Sequence, residues 1–107
     1  MPRWLGRVLK RIHELTEARR VRFTLKALHE ISALELVVDD ALEILHGLRA
    51  ADSAGRLLSE HTGEWMYVFK PALEDTEVYL KLILRGNCIV VSFHEDQEDT
   101  HDEQEAT

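Results

Sequence analysis

Two apolar-alternating runs meet at Gly86-Asn87 within Glu77–His94 (EVYLKLILRGNCIVVSFH), a pattern that predicts a β-hairpin. With those two residues as the loop, Leu84 faces Ile89, Leu82 faces Val91 and Leu80 faces Phe93, which makes one apolar face. The other face then carries Tyr79 opposite His94, Lys81 opposite Ser92 and Ile83 opposite Val90. A one-residue slip would send the three leucines into water, so the pattern itself sets the register. Upstream, Trp65, Tyr67 and Phe69 alternate with Met66, Val68 and Lys70 before Pro71, the mark of a further strand. If its connection to the hairpin is the four residues Leu73–Thr76, Phe69 faces Leu80, Tyr67 faces Leu82, Trp65 faces Leu84, and Lys70 lies beside Tyr79. The aromatic triplet is then expected in the core rather than as a platform for stacked bases.

The N-terminal half has the 3.6-residue period instead. Trp4, Leu5, Val8, Leu9, Ile12 and Leu15 predict an amphipathic helix over Trp4–Arg19. Thr24 can cap a second helix over Leu25–Ala33 with Leu28 and Ile31 inward, and Asp39 or Asp40 a third that ends near Gly47 with Leu42, Leu45 and Leu48 buried. Asp52–Gly63 is irregular and reads as a loop plus a short edge strand. Helices first and a meander last predict an α+β domain: N-terminal helices packed on one face of a small antiparallel sheet of three or four strands, the other face partly open.

Charge changes this picture at both ends. The net charge of −7 is an uneven average, because Glu95–Thr107 holds seven acidic residues and no basic one. Removing those seven from the 20 acidic residues leaves 13, equal to the 13 lysines and arginines. The expected organisation is therefore a single domain over residues 1–94 followed by an acidic, flexible tail over 95–107. Met1–Lys26 is basic, with eight lysines and arginines against Glu14 and Glu17, the usual footprint for a phosphate-bearing partner. One cysteine, Cys88, fits a reducing compartment and precludes a four-cysteine zinc site. His13, His29, His46, His61 and His101 have no ligand spacing, so neither metal nor cofactor is expected. No run approaches the about 18 apolar residues of a membrane span, and Met1–Gly6 opens no signal peptide, so the expected location is cytoplasmic.

The open face has a chemistry of its own. Cleaving RNA without a metal takes a base for the 2′-hydroxyl proton, an acid for the leaving 5′-oxygen and cations for the phosphate. His94 can be base or acid near neutral pH, and Tyr79 can orient the nucleophile or donate a proton. Lys70, Lys81 and Arg56 can stabilise the phosphorane, and Ser92, opposite Lys81, is expected to bind the RNA phosphate with Lys70 and Arg56. The same residues also suit a plain solvated strand face.

At these residues a resemblance enters. VRFTLKALHEI (Val21–Ile31), ILHGL (Ile44–Leu48), GEWMYVFKP (Gly63–Pro71), VYLKLIL (Val78–Leu84) and IVVSFHED (Ile89–Asp96) resemble, in one collinear order, the MqsR family of motility quorum-sensing regulator toxins from bacterial type II toxin-antitoxin systems. The resemblance implies a RelE-like fold, a ribosome-independent endoribonuclease that cuts messenger RNA (an mRNA interferase), and a cognate antitoxin, often one with a zinc-binding and a helix-turn-helix domain. Carried over by position, the family's sheet tyrosine falls on Tyr79, the basic residue after its Ser-Phe on His94, the arginine before its proline on Lys70 and the lysine after its tyrosine on Lys81. Two positions depart: Met66 stands where the family has glutamine, and the loop lysine has Arg56 only as its nearest basic candidate. These departures keep open a non-catalytic module of the same fold that docks a protein or nucleic acid through its basic first helix. A further alternative is a partner-binding protein whose acidic tail mimics nucleic acid.

Overall fold

Three helices and six strands follow one another along residues 1–96, which are the residues that the structure, a computed structural model, describes. The first helix, α1 (Arg3–Glu17), buries Leu5, Val8, Ile12 and Leu15 along one stripe. It is closed by Arg19 at φ 59°, which lets the Arg20 N–H reach back to the Leu15 carbonyl at 2.8 Å. The chain then makes a short strand, β1 (Val21–Phe23), and turns at Thr24 into α2 (Leu25–Ala33). The Thr24 hydroxyl caps this helix by accepting from the Ala27 N–H. Ile31 is buried as expected, but its inward neighbour is Ala27, whereas Leu28 stays exposed. The third helix, α3 (Val38–His46), has Val37 at its N-cap, two residues before Asp39 and three before Asp40. Asp40 sits inside its first turn and accepts from the Val37 N–H at 2.9 Å. Ala41, Leu45 and Leu48 are buried here, with Leu42 only partly so.

The sheet is larger than expected and mixed rather than purely antiparallel. Strands β2 (Ser53–Leu58), β3 (Trp65–Phe69), β4 (Ala72–Leu73), β5 (Thr76–Leu84) and β6 (Cys88–Glu95) join β1 in the order β1-β6-β5-β3-β2, with β4 paired to β5. Only β1 is parallel to its neighbour, Val21 lying against Cys88 and Phe23 against Val90. Such a pairing joins segments far apart in the chain and needs no local turn to mark it.

The register between β3 and β5 is the expected one, Tyr67 against Leu82 and Phe69 against Leu80. It survives although the connection is tighter than four residues: Leu73 pairs with Thr76, and Glu74 at φ 56° makes the turn. Between β5 and β6 the outcome divides. Tyr79 opposite His94, Leu80 opposite Phe93 and Lys81 opposite Ser92 hold, but beyond them Leu82 pairs with Val90, Ile83 with Ile89 and Leu84 with Cys88. Val91 is the extra residue of a bulge, so the half of β6 nearest the turn is shifted by one. Cys88 and Val90 therefore enter the core in place of Ile89 and Val91, and Phe93 joins them. Val78, Leu80, Leu82 and Phe69 meet the helices' buried stripes there. Among the described residues no helix is long and apolar enough to cross a membrane.

Candidate active site

Because side chains alternate along a strand, burying Val78, Leu80 and Leu82 under the helices turns Tyr79 and Lys81 to the opposite face. On β6 the bulge restores the alternation that the shifted half would have lost, so that Phe93 points inward and His94 outward. The Tyr79 and His94 rings stack there, centroids 5.1 Å apart and planes within 11°. His94 Nδ1 lies 2.9 Å from the Glu95 carbonyl oxygen. A carbonyl can only accept, so Nδ1 carries the proton, and neutral His94 keeps its lone pair on Nε2.

Cations surround this pair unevenly. Lys81 neighbours Tyr79 on β5, opposite Ser92. Lys70, just past the end of β3, has its Nζ 3.3 Å from Asp96 Oδ2, and its backbone N–H donates to the Asp52 carbonyl at 2.7 Å. Ser92 is only 4% exposed, and its hydroxyl accepts from Lys26 Nζ at 3.1 Å. The Ser92 hydroxyl is thus engaged by Lys26 and is not itself presented to solvent. Toward the hairpin turn this face becomes apolar, with Ile83 opposite Ile89.

Arg56 is not brought to the group. It pairs with Tyr67 on the helix-bearing side, where its guanidinium lies 3.8 Å from the centre of the Trp65 ring and 4.8 Å from that of Trp4. Trp4 in turn rests 5.6 Å from Tyr67. Phe69 belongs to the core cluster and Tyr67 packs against it, but Trp65, the first residue of β3, keeps 39% of its surface.

Two residues that the sequence pattern did not single out stand beside His94. Where β1 ends, α2 takes over the free edge of β6: the Thr24 N–H donates to the Val90 carbonyl, and Glu30 Oε1 accepts from the Phe93 N–H at 2.8 Å. Glu30 Oε2 pairs with Lys26 Nζ at 2.9 Å. Burial alone would raise the Glu30 pKa, but the Phe93 N–H, Lys26 and the nearby His94 outweigh it and hold the carboxyl below its usual value of 4.5. The only trace of this pair in the sequence is the spacing of four between Lys26 and Glu30, shared by any surface ion pair on a helix.

Cys88 is buried, and burial pushes its thiol up to about 12, which leaves essentially no thiolate for nucleophilic chemistry at neutral pH. Among the described residues no group of three or more histidine, cysteine, aspartate or glutamate side chains is arranged to hold a metal ion. His101 and residues 97–107 of the expected tail lie outside the described residues.

Comparison with known proteins bears on this geometry. The family described as "Motility quorum-sensing regulator, toxin of MqsA" matches residues 7–95. The mRNA interferase toxin MqsR of Escherichia coli (strain K12) is 33% identical over 89 residues, which span 81% of this chain and 90% of that protein.

Proposed function

Since the chain belongs to the motility quorum-sensing regulator family of toxins, we propose that it is an endoribonuclease that cuts single-stranded messenger RNA at Tyr79 and His94 without a metal. It acts in the cytoplasm as the toxin of a type II toxin-antitoxin system. Its partner is a cognate antitoxin, in the family pattern a protein with zinc-binding and helix-turn-helix domains. The observation that carries the reading is the stacked phenol and imidazole on the helix-free face, with amines beside them.

In this mechanism the Nε2 lone pair of His94 takes the proton of a ribose 2′-hydroxyl as the oxygen attacks the adjacent phosphorus. Lys81 neutralises the charge that builds on the non-bridging oxygens, and Lys70 does the same once the incoming phosphate displaces Asp96. The Tyr79 hydroxyl gives its proton to the departing 5′-oxygen. One P–O bond forms and one breaks, leaving a 2′,3′-cyclic phosphate and a 5′-hydroxyl. Every role is filled by a side chain, which is why no metal is required.

Purified protein incubated with a long transcript and excess chelator is expected to fragment it into pieces with those ends. An intact transcript, or 5′-phosphate ends, would sink the assignment. The second reading, a non-catalytic docking module, draws on the exposed Arg3, Arg7, Lys10 and Arg11 of α1, on the far side of the molecule from His94. It expects retention of the transcript without cleavage.

A further inference from the structure

The Lys26–Glu30 pair of α2 differs from an ordinary surface ion pair in where both partners point. Glu30 is turned inward: its side chain is 21% exposed, and one oxygen closes the β6 backbone at Phe93 while the other holds the Lys26 ammonium. Lys26 is bent toward β6, and its second donor goes to the buried hydroxyl of Ser92. Ser92 sits opposite Lys81 and two residues before His94, on the strand that carries the imidazole. An ammonium has three N–H donors. Glu30 and Ser92 take two, at 2.9 and 3.1 Å, and the Lys26 side chain remains 59% exposed.

We infer that Lys26 is a phosphate-binding residue of the ribonuclease site, its remaining donor directed at a phosphate oxygen of the RNA, and that Glu30 and Ser92 are the positioning residues that hold its ammonium beside His94. This deepens the proposed nuclease reading and rests on it. The RNA strand then crosses the open face between two amines from different elements, Lys81 of β5 and Lys26 of α2. The carboxylate serves here as a tether, since its two oxygens fix the helix to the strand end and the amine to the helix.

The test uses a single-stranded RNA oligonucleotide containing a cut sequence mapped on the transcript, and a copy with 2′-deoxyribose at the scissile position that cannot be cleaved. Lys26→Ala is expected to raise KM about tenfold with little change in kcat, the loss of one charge-assisted contact. It should also flatten the dependence of log Kd on log salt for the uncleavable copy by about 0.7, the signature of one phosphate contact on a single strand. Lys26→Arg should recover most of both. Glu30→Gln leaves a single oxygen for two donors, so Lys26 is released and KM rises severalfold; removal of a mere repulsive charge would instead lower it. Arg49→Ala, on the segment after α3, should leave KM and the salt slope as they are. Wild-type KM and slope in Lys26→Ala would overturn the inference, as would a tighter-binding Glu30→Gln. If the wild type leaves the cleavable RNA whole, the nuclease reading fails by itself. The salt slope on the uncleavable copy then still decides whether Lys26 holds phosphate.

Discussion

The two faces of the sheet each carry a cluster of aromatic rings and a basic group, and they have opposite fates. On the helix side Arg56 lies between Trp65 and Trp4, with Trp4 against Tyr67; the guanidinium plane is covered by indoles. On the open side the Tyr79 and His94 rings stack on each other, with Lys81 two residues along β5 and the Lys26–Glu30 pair tied to β6 at Ser92 and Phe93. Composition does not separate these clusters, since each sets aromatic rings beside a basic side chain. What separates them is which strand positions the helices cover. A cation whose faces are stacked contributes to stability and has little left to offer a phosphate, whereas an imidazole with one nitrogen fixed by a carbonyl keeps the other for chemistry.

The contrast breaks most sharply at His94. His94→Ala should lower kcat for RNA cleavage by about 10²–10⁴-fold, the span expected for losing a general base, with thermal unfolding unchanged because the side chain is outside the core. Tyr79→Phe keeps the ring stack and removes only the hydroxyl, so it should lose most of that rate too. A Tyr79→Phe enzyme with full kcat would take the phenol out of the chemistry and leave it a spacer.

Arg56→Ala should do the reverse. Losing the guanidinium from between the two indoles is expected to cost about 1 kcal/mol, a fall in Tm of about 4–8 °C for a domain of this size, while kcat stays near that of the parent. Calorimetry alongside the cleavage assay checks both. A loss of activity with an unchanged Tm would place Arg56 with the open-face group after all.

How far each cluster could be read from the sequence follows from the same geometry. Leu80, Leu82 and Phe69 tolerate no slip without exposing leucine, so the β3–β5 register and the Tyr79–His94 pairing were legible from alternation alone. The bulge was not, because Ile89, Val90 and Val91 are all apolar and either parity buries a good residue. Nor was β1: three residues that pair in parallel with a strand 67 positions away leave no local periodicity. At the site the in-strand residues were visible, but Lys26 and Glu30 lie on a helix and reach Ser92 and Phe93 only through tertiary packing. Arg56 shows the converse error, since nearness in sequence to a strand end says nothing of the face on which a bulged edge strand will turn its side chain.

The smallest expected effect compares two carboxylates, Glu30 beside the end of β6 and Glu64 just before β3. Glu30 and Glu64 both have pKa values below 4.5, for different reasons. Glu64 owes the shift to Arg85, whose half-exposed guanidinium holds it at 2.7 and 2.8 Å at the protein surface, a pair that salt screens readily. Glu30 owes it to the Phe93 N–H and Lys26 working against burial, and salt reaches these less. A carboxyl whose pKa is depressed in the folded state adds stability that is present above its unfolded value and is lost as pH falls through the folded one. Both residues should therefore steepen the decline of stability below about pH 4.5, and neither should affect its slope near pH 7. Urea unfolding across that acid window should show a shallower decline in Glu30→Gln at low and at high salt, but in Glu64→Gln only at low salt. Equal salt sensitivity in the two variants would mean that the Glu30 carboxylate is as open to solvent as Glu64, and that α2 does not seal the β6 edge beside His94.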